Sequence, residues 1–480
     1  MNYGYKESVY GKSRLDLYFN FPRESEEREE DNKEVLEKSY ELSQLIEAFF
    51  QEKNELMLNI IFMKIKKVLS YRFKQFKDII IESGFVDNVI MRILEHEASY
   101  EMIDCFSEIC VNSNFEISKV FLRDDLFLKF NELMMNDELT SLIFLIIGNL
   151  ITFFNNTELN VIRRCLNKDN IILVFTSENK IGECNGLYLI SKLIQKDYCY
   201  FNSSELLSIL SEVLKNRDEI EIESLIFISD IIEILINKDV DMIACFVKND
   251  IFIGLFYSLY FLRLSPNNEL ENMVIFKILN LFCLTSNLLI SLKNKLKYNL
   301  DKCDDFQIIC NLLVKFFESD KLYILFKLLI KPNIPLLWII IIMNIIANWI
   351  SVSPTVLFNE NFNEAYQKCL SINKNGGSFD FKVSFLKLTK RIIKFSLPKY
   401  IENLITEEII SDIIDLVQSE DVIVIKMTVK TICHLIEKIY STREMFIKNG
   451  LLEIVDEISN SSEEINEICK PLKMILQDLY

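Results

Sequence analysis

A short phrase of apolar and polar positions recurs along this chain. Residues 80–86 read IIESGFV and residues 446–452 read FIKNGLL. Between them stand FLRDDLF at 121–127, FVKNDIF at 246–252, LFNENFN at 357–363 and LITEEII at 404–410. Looser copies are CLNKDNI at 165–171, FNSSELL at 201–207 and DKCDDFQ at 301–307. The pattern runs from an apolar start through two or three polar residues to Gly, Asp, Asn or Glu, then into an apolar run. The pattern predicts a short helix, a tight corner, a second helix such as FVDNVIMRIL, and after a short loop a third, longer helix. Gly tolerates positive φ at such a corner, and Asp or Asn can follow it or cap the next helix.

The corner residues are Gly84, Asp125, Asp169, Glu205, Asp250, Asp305, Asn361, Glu408 and Gly450, spaced 41, 44, 36, 45, 55, 56, 47 and 42 apart. Armadillo and HEAT repeats run about 40–47 residues. No such unit buries its apolar face alone, so stacked neighbours share one core. The fold expected is all-α: a right-handed superhelical α-solenoid of armadillo/HEAT type with about nine to ten repeats over residues 41–480. Residues 1–40 are expected to form an acidic tail. Irregular repeats are expected near 280–360, with a lengthened first helix in SNLLISLKNKLKYNLDKC and an insertion in ESDKLYILFKLLIKPN. A flexible loop is expected near 370–380, LSINKNGGSFD.

Composition agrees with this pattern. Only 10 Gly and 7 Pro punctuate 480 residues, and half of the chain is hydrophobic. The net charge of −17 makes the chain a poor binder of phosphate backbones and directs attention to cationic partners. The 12 cysteines stand singly, without C-x-x-C spacing, and His96 and His434 are the only histidines. That usage fits a reducing compartment and gives no zinc framework. Neither a phosphate-binding glycine loop nor a His-based acid–base pair is present, so a non-enzymatic protein without cofactor or metal is expected. The N-terminus lacks the apolar core of a signal peptide. The most apolar stretch, Leu336–Ile350, is shorter than a spanning helix and is interrupted by Asn344 and Asn348. A soluble intracellular protein, working in cytoplasm and nucleus without membrane insertion or direct nucleic-acid binding, is therefore the expectation.

Residues 41–94 resemble the first armadillo repeat of the importin-α family, adaptors for nuclear-localisation signals. The likeness lies in helix order, in the LS after the first long helix and in the I-E-S-G-x-V phrase. The resemblance implies a groove along the third helices, where Trp walls hold Lys and Arg stems and an Asn four residues later clamps the peptide backbone. Here the Asn positions fall at Glu108, Asn149, Lys192, Asp230, Asn280 and Asn348, and the Trp positions at Asp104, Leu145, Tyr188, Ile226, Phe276 and Asn344. With the acidic Glu101 and Glu223 beside them, the implied groove residues are Glu101, Asp104, Glu108, Asn149, Tyr188, Glu223, Asp230, Phe276, Asn280 and Asn348. The implied partners are basic cargo peptides and, through residues 11–31, importin-β, although that segment lacks the family's basic clusters. Late in the chain the sign reverses: Lys382, Lys387, Lys390, Arg391 and Lys394 make a second basic-signal site unlikely there. The function expected is a nuclear-import adaptor; the alternative is an armadillo/HEAT scaffold or chaperone cofactor for folded partners.

Overall fold

The computed structural model describes residues 29–298, 311 and 323–477, apart from 113–114, 156, 177–179, 216–219, 240, 263–268, 359 and 375–377. Among them every regular element is helical. The chain divides into two compact units, Met1–Asp239 and Val240–Tyr480.

The first unit begins with α1 (Glu29–Gln51) and α2 (Glu55–Glu82), packed on one another across a three-residue turn. Asn54 caps α2, its Oδ1 accepting the Leu56 and Met57 amides at 2.9 and 3.3 Å. After them come α3 (Phe85–Glu95) and α4 (Tyr100–Val111), then α5 (Phe115–Val120), α6 (Asp124–Leu133) and α7 (Asp137–Ile151). The unit continues with α8 (Leu159–Cys165), α9 (Lys168–Leu173), α10 (Lys180–Lys196), α11 (Ser203–Lys215) and α12 (Ile222–Lys238).

The second unit contains α13 (Met242–Lys248), α14 (Ile251–Phe261), α15 (Glu269–Tyr298), α16 (Ile324–Ile330) and α17 (Leu336–Val352). A 3-10 turn over Pro354–Phe358 leads to α18 (Glu360–Lys374) and α19 (Phe379–Phe395). The chain ends with α20 (Pro398–Leu404), α21 (Glu407–Val417), α22 (Val422–Lys438), α23 (Ser441–Lys448), α24 (Leu451–Ser459) and α25 (Glu463–Gln477).

The last helix of each repeat packs on the last helix of the repeat before it. In the first unit this ladder runs α2, α4, α7, α10, α12; in the second it runs α15, α17, α19, α22, α25. Each unit is therefore an α-solenoid, and among the described residues nine second-and-third helix pairs stand in the chain. An inner ladder helix such as α7 touches neighbours on several sides and is apolar nearly all round. In α7 only three of the 15 residues, Asp137, Glu138 and Leu142, escape full burial.

The recurring phrase marks where each second helix begins. Gly84, Asp250 and Gly450 precede α3, α14 and α24 in the left-handed region, with φ of 69°, 58° and 77°. Gly takes this conformation at no steric cost, and Asp is among the few other residues that tolerate it. At other corners the acid lies inside the helix. Asp125, Asp169, Glu205 and Glu408 occupy the first turns of α6, α9, α11 and α21, where carboxylates favour the positive end of the dipole. Asp305 lies outside the described residues.

Several boundaries differ from expectation. Glu29–Tyr40, assigned to the tail, belongs to α1. Residues 286–298, read as a lengthened first helix, continue α15, so it is a third helix that is long there. Residues 324–330, read within an insertion, form α16, which packs on α18 as second helices do. Residues 370–374 of the expected loop are the last turn of α18, and the next ladder helix, α19, begins at Phe379. Residues 375–377 lie outside the described set. Glu269–Ser291 of α15 is long and apolar enough to cross a membrane, with a mean hydropathy of 1.9, but half of it is buried within the protein. Its Val274, Ile275, Ile278 and Phe282 are buried, Phe282 against Phe252 and Phe256 of α14, the usage of a core helix.

Candidate functional site

The candidate residues lie on ladder helices, and most are engaged by the chain itself. On α4, Glu101 and Asp104 are half-buried and Glu108 is buried. Asp104 receives Lys66 of α2 at 2.5 Å, an ion pair joining two rungs of the ladder. Glu108 accepts the Asn112 amide at 2.8 Å. Burial, followed by the charges of Asp104 and Glu108, pushes the thiol of Cys105 between them far above the usual range. On α12, Glu223 is buried and Asp230 half-buried.

The structure brings Asn149 and Tyr188 together. Tyr188 is 1 % exposed and Asn149 is 4 % exposed. The Tyr188 hydroxyl donates to Asn149 Oδ1 at 3.0 Å, and Asn149 Nδ2 donates to the Leu145 carbonyl at 2.8 Å. Gly148 makes this approach possible: a Cβ there would meet Tyr188 Cε1 at 2.5 Å. The Tyr188 ring also packs on Phe227 at 5.4 Å between centroids, and Lys192 Nζ lies 5.5 Å from its centre. One helix turn earlier, Asn185 Nδ2 donates to the Ser141 hydroxyl at 2.7 Å and to its carbonyl at 2.9 Å. Two polar bridges thus tie α10 to α7.

The second unit repeats this arrangement. Asn348 of α17 donates to Ser286 Oγ at 3.0 Å and to Asn287 Oδ1 at 2.7 Å, both on α15. Asn344 donates to Ser384 Oγ of α19 at 3.2 Å and accepts Lys387 Nζ at 3.1 Å. Phe276 is half-buried and Asn280 exposed on α15. Trp338 and Trp349 are buried, and Trp349 stacks on Phe326 at 6.0 Å. Asn149, Asn185, Asn344 and Asn348 therefore act as staples between neighbouring ladder helices. A buried amide must be hydrogen-bonded, and a neighbour's hydroxyl satisfies it as well as a peptide does.

Charge on α19 and α22 is mostly positive. These two helices hold eight Lys and Arg residues against two acids, Asp380 and Glu437. Lys387, Lys390 and Arg391 are half-buried on α19, while Lys426 and Lys430 are exposed on α22. Burial, then the charges of Arg391, Lys430 and Lys394, brings Lys390 down to about 8. Lys426 and Lys430 line one wall of a cleft of about 610 Å³ against α25, with Glu464 and Glu467 on the other wall. The sequence pattern singled out the α19 cations but not Lys426 and Lys430. Their four-residue spacing on a third helix was the available signal. The importin-β-like segment falls mainly in residues 1–28, outside the described set.

The fold and these faces define the class: an all-α helical-repeat protein whose ladder helices form one face per unit. No family model matches the chain, and no curated protein matches it. Among solved structures, an engineered protein aligns over 91 % of this chain and 98 % of its own at 11 % identity, with a TM-score of 0.62. That likeness is one of fold. Kap121p aligns over 91 % of this chain at 10 % identity and a TM-score of 0.37, and the Kap121p complex with Nup53p does so at 9 % and 0.35. This chain spans 49 % of the Kap121p chain, and superpositions so distant carry no functional argument.

Proposed function

We propose that the chain is a protein-binding α-solenoid that holds segments of partner proteins on its ladder helices. One observation carries this reading: each repeat contributes one helix to an unbroken ladder within its unit. A repeat array of that kind offers an extended surface in which each repeat reads part of a ligand.

The finer reading is an adaptor for basic nuclear-localisation peptides, moving between cytoplasm and nucleus. Its support lies in the first unit. Glu101, Asp104 and Glu108 share one face of α4, and α12 adds Asp230. A Lys or Arg from a peptide would pair with Asp230 and Glu101, which remain partly accessible, while Asp104 would exchange Lys66 for the ligand. The alternative is a scaffold for folded partners, favoured by the bonding of Asn149 and Asn348 inside the chain. Fluorescence anisotropy with monopartite and bipartite basic peptides separates the two. The adaptor reading requires a Kd below about 100 μM at low salt, weakened about tenfold by Asp230→Lys. No binding, or binding indifferent to Asp230→Lys, leaves the scaffold.

A further inference from the structure

The cations of α19 and α22 stand out in the second unit because several of them are half-buried beside one another with no carboxylate to complete them. Among the described residues, Lys390, Arg391, Lys426 and Lys430 make no ion pair, and Lys387 bonds only to the neutral Asn344. Lys382 alone on α19 has an acid near it, Asp412, at 3.9 Å. Partly burying a cation without a counter-charge is unfavourable, and placing like charges beside it adds to the cost. Burial depresses Lys387, Lys390 and Arg391 below their ordinary values, and Lys387 and Lys390 bear like charge as well, from Arg391 in the first case and from Arg391, Lys430 and Lys394 in the second. A bound carboxylate relieves both.

The spacing suits a chain. Lys387, Lys390 and Lys394 stand three and four residues apart on α19, and Lys426 and Lys430 four apart on α22, which packs on α19. Neighbouring helix axes lie about 8–10 Å apart, so the patch spans about five or six residues of extended peptide at roughly 3.3 Å each.

We propose that α19 and α22 form a docking surface for an acidic segment of a partner protein, its carboxylates paired with Lys387, Lys390, Arg391, Lys426 and Lys430. The Glu464 and Glu467 wall of the adjoining cleft ends the attractive surface at α25. A protein segment is favoured over nucleic acid on two grounds. The net charge of −17 repels a long polyanion. Single strands also need exposed aromatic faces beside the cations for base stacking, whereas Phe381 and Phe385 of α19 are buried and the exposed Phe379 stands at the start of the helix, away from Lys387 and Lys390. The inference does not depend on the first unit binding basic peptides.

The test uses the full chain and three fluorescent probes: an Asp- and Glu-rich peptide of about 12 residues, a basic peptide of equal length, and a single-stranded oligonucleotide. The acidic peptide is expected to bind below about 100 μM at low salt and to weaken as salt rises. The exposed substitutions Lys426→Glu and Lys430→Glu together are expected to weaken it at least tenfold with the circular dichroism unchanged. Lys390→Gln, a milder change, is expected to weaken it severalfold. Asp230→Lys is expected to leave it unchanged, so loss of basic-peptide binding and loss of this site are told apart. Absence of acidic-peptide binding, indifference to the double substitution, or tighter binding of the oligonucleotide would overturn the proposal.

Discussion

In the first unit, α4 carries three carboxylates and no Lys or Arg; in the second, α19 carries five Lys and Arg residues and one acid. Both are ladder helices in equivalent positions of the repeat, yet their charges meet different fates. Asp104 finds Lys66 one rung away and Glu108 finds Asn112 on its own helix. Lys390 meets Arg391, Lys394 and Lys430 instead. Repeat geometry thus supplies a face in both units, and what the face holds depends on whether the neighbouring rung completes its charges. The acidic face is partly closed upon itself; the basic face is left to a ligand.

The comparison can be broken most forcefully at Gly148. A methyl group there would lie 2.5 Å from the Tyr188 ring, on α7, a helix buried nearly all round. Gly148→Ala is expected to destabilise the protein by about 1–3 kcal/mol, the usual cost of overpacking. A lowered urea midpoint checks it. An unchanged midpoint would mean that α7 and α10 separate readily, and the face of the first unit would then be adjustable rather than closed.

How much of this was legible in the sequence follows from what each signal depends on. The corners were legible because they rest on local backbone conformation, which Gly84, Asp250 and Gly450 carry by themselves. The ladder was legible because apolar periodicity and repeat length do not depend on which neighbour is met. The role of the amides was not. Asn149 on a third helix has the same local signature whether it clamps a peptide or a tyrosine, and Tyr188 lies 39 residues away. Repeat boundaries failed where an element changed length. The 30 residues of α15 are one helix, but their polar positions near Asn287 and Lys293 imitate a break.

The next effect concerns the acidic face. Asp230→Lys is expected to cost basic-peptide binding about tenfold, or about 1.4 kcal/mol, while acidic-peptide binding stays as it was. Anisotropy with both probes on one preparation measures it. If both affinities move together, the two faces are not independent and the contrast between units fails.

An effect of similar size isolates the staple between α7 and α10. Tyr188→Phe keeps the ring and removes the hydroxyl that donates to Asn149 Oδ1. A buried carbonyl oxygen left without this donor is expected to lower stability by about 1–2 kcal/mol. Combined with Asn149→Leu, the loss should be less than additive, since either change alone removes the bridge. Additive losses in urea unfolding would show that the 3.0 Å contact contributes nothing beyond packing.

The smallest expected effect sharpens the basic face. Lys390 is held near 8 by burial and by Arg391 and Lys394 on its own helix and Lys430 on α22. Between pH 7 and 9 the free protein therefore loses this positive charge, whereas an ordinary exposed lysine keeps it. The carboxylates of an acidic peptide stay ionised throughout, so the change in affinity reports on the protein. Binding favours the charged ammonium, so raising the pH weakens it; with one cation of five affected, about threefold is expected. Lys390→Arg retains the charge at pH 9 and should flatten the profile between the two pH values. A wild-type profile already flat, or an Arg variant falling as steeply as wild type, would place the titrating group elsewhere and remove Lys390 from the contact.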